Sequence, residues 1–178
     1  MDIGSGYTDL IGRLSTLDPP MFVFGGFAEE ALLEGTLQRP HGDVDVIVRR
    51  NELDARLRQV EELGFAPLGV YYEPRPGLPL VMGGSGNGLN LELGIVDEGT
   101  SGFYFVTGDA DGEPHRFDLT DDLFLHPPLT IEATTIHVAS PRALFQIREA
   151  FAKAETFGPL RTTDVEVLTR LAKLLANG

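Results

Sequence analysis

Between Asp43 and Val48 the chain reads Asp-Val-Asp-Val-Ile-Val, and such a stretch leaves the backbone little choice. β-branched side chains are stiff at χ1 and suit a pleated surface, so the run reads as a strand. Residues two apart in a strand share a face, roughly 7 Å apart along the backbone. Asp43 and Asp45 therefore stand side by side at one end of an otherwise apolar strand. Two neighbouring anions repel and are costly to hold in a partly buried cleft. A divalent cation relieves that cost, and hard carboxylate oxygens suit Mg²⁺. Two such ions about 3.5–4 Å apart can clamp the attacking and leaving oxygens of a phosphoryl displacement. Taken alone, an Asp-x-Asp also describes a solvated strand edge, and its surroundings decide between the two.

Upstream, Met21 to Phe24 is a short apolar run that reads as a buried strand, and Gly25-Gly26 turns the chain into a helix. Phe27, Ala28, Ala31 and Leu32 form the apolar stripe of that helix, which Gly35 and Pro40 close. A helix N-terminus presents free N–H groups and partial positive charge, so it binds phosphate readily. Two glycines let a phosphate approach the backbone with no Cβ in the way. An ordinary strand-to-helix turn would look the same. The turn together with the acidic pair, one helix apart, is more specific than either alone.

The rest of the chain supplies the remaining elements. Tyr7, Leu10, Ile11 and Leu14 repeat at helical spacing, with Ser5 as the expected cap and Asp18-Pro19-Pro20 as the stop. Asn51 is expected to cap a helix with Leu53, Leu57, Val60 and Leu63 inside and Gly64 at its end. Phe65 to Tyr72 reads as a strand, and Pro74 to Gly88 as a loop rich in Pro and Gly. Within that loop, Gly83-Gly84-Ser85-Gly86-Asn87-Gly88 lacks the Lys-Ser/Thr ending of a P-loop and reads as a mobile segment near the cleft. Leu89 to Val96 alternates, with Leu89, Leu91, Leu93 and Ile95 on one face and Asn90 and Glu92 on the other. Short β segments fill 102–138, Ser140-Pro141 opens a helix reaching about Thr156, and Thr162 or Thr163 caps a last helix. The expected fold class is α+β, a mixed sheet flanked by helices. Residues 1–139 would form the core domain, and 140–178 a C-terminal helical pair packed on it.

These elements resemble the nucleotidyltransferase superfamily related to DNA polymerase β. The resemblance rests on Phe22-Val23-Phe24-Gly25-Gly26-Phe27-Ala28 followed by Arg39-Pro40-His41-Gly42-Asp43-Val44-Asp45. The same stretch looks most like aminoglycoside 2''-adenylyltransferases and their lincosamide-modifying relatives. It spans about residues 21–50, with a looser likeness from Ser140 onward, where 163–168 resembles the family's final helix. The resemblance implies the nucleotidyltransferase fold and an enzyme that uses Mg²⁺, in two ions, and an NTP such as ATP.

Carried over residue by residue, it implies that Gly25 and Gly26 contact the phosphates and that Asp43 and Asp45 ligate metal. Arg39 and His41 would sit beside the triphosphate or orient the first carboxylate. The family's third carboxylate, which binds metal or accepts the acceptor hydroxyl's proton, would be Glu92, with Asp97 and Asp118 in reserve. Where the family often has a Lys on the helix after Ser-Pro, this chain has Arg148, with Lys153 a turn later; Arg148 could still neutralise phosphate. The alternative is a catalytically silent nucleotidyltransferase-like binding or regulatory module. Retention of both aspartates speaks against it.

Charge bears on the acceptor. Lys and Arg total 14 against 27 acidic residues, a net charge of −13. That balance disfavours nucleic acid, which needs a basic surface, and agrees with a cationic small molecule such as an aminoglycoside, although acidity also serves solubility. The absence of Cys excludes disulfides, thiolate metal sites and a Cys nucleophile. His115, His126 and His137 recur at equal intervals but in unlike local contexts, so they read as coincidence. No apolar run approaches the roughly 18 residues a membrane span needs, and MDIGSGYTDL has neither the basic nor the apolar part of a secretory signal. A cytoplasmic protein is the expectation.

Overall fold

The structure is a computed structural model that describes residues 3–37, 40–66, 68–74, 80–108, 113–131, 133–153 and 161–177. Helix α1 spans Ile3–Ser15, and Tyr7, Leu10, Ile11 and Leu14 are buried as their spacing requires. Ser5 lies inside α1 and does not precede it. Strand β1 (Phe22–Phe24) runs straight into α2 (Gly25–Glu34), which ends at Gly35 in the left-handed conformation. Strand β2 covers Val44–Arg49, so Asp43 sits one residue before the strand that was expected to contain it. A 3₁₀ turn (Arg50–Glu52) then leads into α3 (Leu53–Glu62). Asn51 lies within that turn and caps nothing. Gly64, at positive φ, donates its N–H to the Glu61 carbonyl and closes α3.

The largest departure from the expected elements is 81–86. After β3 (Gly69–Tyr72), the glycine-rich stretch forms β4 (Val81–Gly86) and then turns into β5 (Leu89–Gly99). It is a strand inside the sheet, paired on both sides. The turn is Asn87-Gly88, both at positive φ (55° and 79°), which is the geometry of a two-residue type I′ hairpin. Close packing accounts for the glycines within β4. A Cβ on Gly83 would stand 2.5 Å from the Tyr71 ring, and one on Gly86 would stand 2.3 Å from the Gly64 carbonyl oxygen.

Strands β6 (Gly102–Gly108) and β7 (Pro114–Leu119) extend the sheet from the far end of β5. The seven-stranded sheet runs β1-β2-β5-β4-β3, with β6 on β5 and β7 on β6. β2 and β5 are its parallel pair. Their shared register puts Val44, Val46 and Val48 beside Leu91, Leu93 and Ile95 on one face, where each is at most 2% exposed. A separate pair, β8 (Leu129–Ile131) and β9 (Thr134–Ile136), packs against α1.

Two helices end the chain. α4 spans Pro141–Lys153, and the Ser140 hydroxyl accepts the Ala143 N–H at 3.1 Å, a regular N-cap. The expected extension to Thr156 falls outside the described residues. α5 spans Thr162–Asn177. Its first turn is closed by Asp164, which accepts the Arg161 backbone N–H at 3.1 Å, so neither Thr162 nor Thr163 is its cap. Ala143, Leu144, Ile147 and Leu171 belong to the same hydrophobic core as the sheet. Among the described residues no helix is long and apolar enough to cross a membrane.

Candidate active site

The other face of the β2–β5 pair carries the acids. Asp45 and Glu92 are direct partners in the parallel register. Asp43 approaches from the segment just before β2, and carboxylate oxygens of all three residues lie within 4.8 Å of one another. Ligands held 2.0–2.1 Å from one Mg²⁺ lie roughly 3–4 Å apart, so small rotations suffice to share an ion. Among the described residues this is the one group of three side chains so placed.

The electrostatics follow from that crowding. Burial, then the charges of Asp43, Glu92 and Glu29, push Asp45 up to about 8 against the opposing pull of Arg148. Burial and Asp43 also raise Glu92. Three acids here have more negative charge than the protein around them compensates.

Gly25 makes the arrangement possible. Phe24 pairs with Asp45 across β1 and β2, so the turn after Phe24 passes directly over the Asp45 carboxylate. Gly25 has φ +64°, and a Cβ there would lie 2.3 Å from Asp45 Oδ2. Gly25 and Gly26 open α2, and Phe24 at the N-cap gives the helix end no side-chain hydrogen bond. The acids and this helix terminus line one cleft of about 730 Å³, together with Pro40, His41 and residues of α4 and α5. His41 is pinned from behind. Its Nε2 lies 2.9 Å from Glu30 Oε2, its ring lies against Phe27 at 3.9 Å, and Thr36 donates to the other Glu30 oxygen at 2.9 Å.

No family model and no curated protein sequence matches the chain. Solved structures do. The solution structure of the antibiotic-resistance factor ANT(2'')-Ia superposes with a TM-score of 0.62 at 17% identity, over 97% of this chain and 86% of that one. The crystal structure of ANT(2'')-Ia in complex with adenylyl-2''-tobramycin gives 0.60 at 16% identity, over 96% and 90%. This chain has the nucleotidyltransferase fold.

Within the nucleotidyltransferase fold the other acids named from the sequence stand apart from the cleft. Asp97, further along β5, is paired with Arg50 at 2.7 and 3.0 Å. Asp118 is exposed and paired with Arg116. Lys153 is exposed and paired with Glu149 at 3.0 Å. Arg39 lies outside the described residues.

Arg148 lines the cleft, bonded to two acids. Its Nε and Nη2 donate to Glu29 at 2.5–2.9 Å, and its Nη1 donates to Asp164 at 2.8 Å. Arg161 also donates to Asp164, at 3.0 Å, and its guanidinium holds that carboxyl below the usual range. The network ties α2, α4 and α5 together at the cleft wall. Sequence reading missed Glu29, Asp164 and Arg161. A signal for Glu29 was present: Glu29-Glu30 lies between Ala28 and Ala31 in a ten-residue helix, and both glutamates are buried.

Proposed function

We propose that the chain is a metal-dependent nucleotidyltransferase that moves a nucleoside monophosphate from an NTP such as ATP to a hydroxyl of a small cationic acceptor. The observation that carries this reading is the convergence of Asp43, Asp45 and Glu92 beneath a glycine-opened helix terminus in one cleft. The residues fit a divalent cation. Burial and the charges of Asp43, Glu92 and Glu29 push Asp45 up to about 8, so the site favours a group that brings positive charge.

Bound there, Mg²⁺ would neutralise phosphate charge and act as a Lewis acid. Asp43, Asp45 and Glu92 are the residues that would hold it. Gly25 and Gly26 offer backbone N–H groups at the start of α2 to the phosphate oxygens. Arg148, and by resemblance Arg39 and His41, add positive or hydrogen-bonding groups on the phosphate side. By resemblance, Glu92 is also the residue that would take the acceptor hydroxyl's proton. The hydroxyl oxygen then attacks the α-phosphorus, the bond from that phosphorus to the bridging oxygen breaks, and pyrophosphate leaves. Holding the reacting groups in line within the shared cleft would, together with charge, supply most of the rate.

A cationic acceptor agrees with the net charge of −13. An aminoglycoside is the favoured example, and one of the matched proteins was solved with adenylyl-2''-tobramycin. The test incubates the protein with NTPs, Mg²⁺ and a panel of aminoglycosides and other hydroxyl compounds, read by mass spectrometry for an added nucleotidyl group. The expected result is such a product with wild type and at least about a thousandfold less with Asp43→Asn plus Asp45→Asn. No product with any acceptor, alongside NTP affinity indifferent to both aspartates, would refute the proposal.

A further inference from the structure

Asp43 is the one member of the acidic group whose backbone the sheet does not place, because β2 starts at Val44. Side chains from two other elements hold the peptide before it. Tyr7 on α1 donates its hydroxyl hydrogen to the Gly42 carbonyl at 2.7 Å. Asn90 on β5 donates from Nδ2 to the same carbonyl at 2.9 Å. The Asn90 backbone N–H donates in turn to the Tyr7 hydroxyl at 3.3 Å, closing a ring of three hydrogen bonds. Ser85 on β4 donates to Asn90 Oδ1 at 2.5 Å, which leaves the amide nitrogen facing Gly42.

The placement of these side chains follows from the fold. α1 approaches β5 closely enough that a Cβ on Gly6 would lie 3.3 Å from Leu89, and Tyr7 is 4% exposed in that contact. Asn90 stands two residues before Glu92, on the same face of β5. The strand that presents Glu92 to Asp45 thereby also anchors the peptide leading into Asp43. Without such an anchor, repulsion from Glu92, and from Asp45 when ionised, would favour a rotation of the 42–43 peptide that carries Asp43 away from the other two acids.

We infer that Tyr7 and Asn90 are positioning residues of the cation site: through Gly42 they hold Asp43 where it can share an ion with Asp45 and Glu92. The inference rests on the divalent-cation reading of the acidic group. Neither residue touches a reacting atom, and both act through Asp43. Outer partners of metal ligands commonly change affinity by about tenfold or more when removed.

The experiment titrates Mn²⁺ into the metal-free protein and follows unbound Mn²⁺ by electron paramagnetic resonance. Wild type is compared with Tyr7→Phe, Asn90→Ala and the double variant, each with a thermal melt. Tyr7→Phe keeps the ring beside Phe27, 5.5 Å away, and removes only the hydroxyl, so a folded variant is available even if Asn90→Ala is not. Asp45→Asn serves as the reference for a lost ligand. Arg50→Ala, which breaks the pair with Asp97 away from the cleft, serves as the reference for lost stability alone. The expected result is Mn²⁺ binding weakened severalfold by Tyr7→Phe and about tenfold by the double variant, with Arg50→Ala retaining wild-type affinity. Wild-type affinity in the double variant, or an equal loss in Arg50→Ala, overturns the inference while leaving the cation site intact. Wild type binding no better than Asp45→Asn overturns the cation site itself and the inference with it.

Discussion

Asp45 occupies a place that a lone carboxylate tolerates poorly. Its proton is held up to about 8 in the fold, against 3.8 for the free group, with burial as the largest cause. A carboxyl whose pKa is raised by folding contributes stability in full below its unfolded pKa. That contribution is lost as pH rises through the window from 3.8 to about 8. The melting temperature of the metal-free protein is therefore expected to fall as pH rises across that window. Asp45→Asn should flatten most of the fall, and added Mg²⁺ should raise the melting temperature more at the alkaline end than at the acid end. Thermal melts across pH, with and without Mg²⁺, check all of this; a wild-type profile no steeper than the variant's would contradict it. At this scale the sequence was informative because strand period alone puts Asp43 and Asp45 on one side, and alternation puts Glu92 on a polar face. That Glu92 faces Asp45 is a matter of register between strands far apart in the chain, which no local pattern contains.

Among the elements, the helices were easier to read than the hairpin at 81–99. Apolar spacing at 3.6 residues identified α1, α2 and α3, and start signals at Ser140-Pro141 and Thr162-Thr163 identified α4 and α5, while their ends shifted where Asn51, Thr162 and Thr163 were given capping roles that backbone turns and Asp164 perform. β4 was hidden because its glycines remove the β-branched signal, and they are there to let Tyr71 and the Gly64 peptide approach. The Asn87-Gly88 pair is the local hairpin signal that the surrounding glycines masked when 74–88 was read as a loop. The coupling of α2, α4 and α5 yields the prediction proper to this scale. Arg148→Ala leaves Glu29, whose side chain is 4% exposed, without the guanidinium that now meets both its oxygens. The expected loss is about 3 kcal/mol of folding free energy in denaturant titration. Glu29→Ala plus Arg148→Ala is expected to cost clearly less than the two single losses added together. Additive losses would mean that the pair is not coupled.

For the molecule as a whole, the arrangement of layers converts a local acidic motif into a site. The parallel β2–β5 pair buries its aliphatic face in the core and turns its acidic face to a cleft walled by α2, α4 and α5. The α+β class was readable from the order of elements, whereas the position of the C-terminal helices over the cleft involves contacts between distant segments, the shared core and the Glu29–Arg148–Asp164 network. The fold shared with ANT(2'')-Ia at 17% identity shows how little common sequence this architecture needs. The proposed enzyme requires that the three acids hold a divalent ion against a phosphate chain seated at Gly25-Gly26. The most direct measurement is the anomalous difference map of a crystal grown with Mn²⁺ and a non-hydrolysable ATP analogue. A Mn²⁺ peak bonded to oxygens of Asp43, Asp45 and Glu92, with the phosphates at the start of α2, is expected. Nucleotide bound elsewhere, or these carboxylates carrying no metal in its presence, would contradict it.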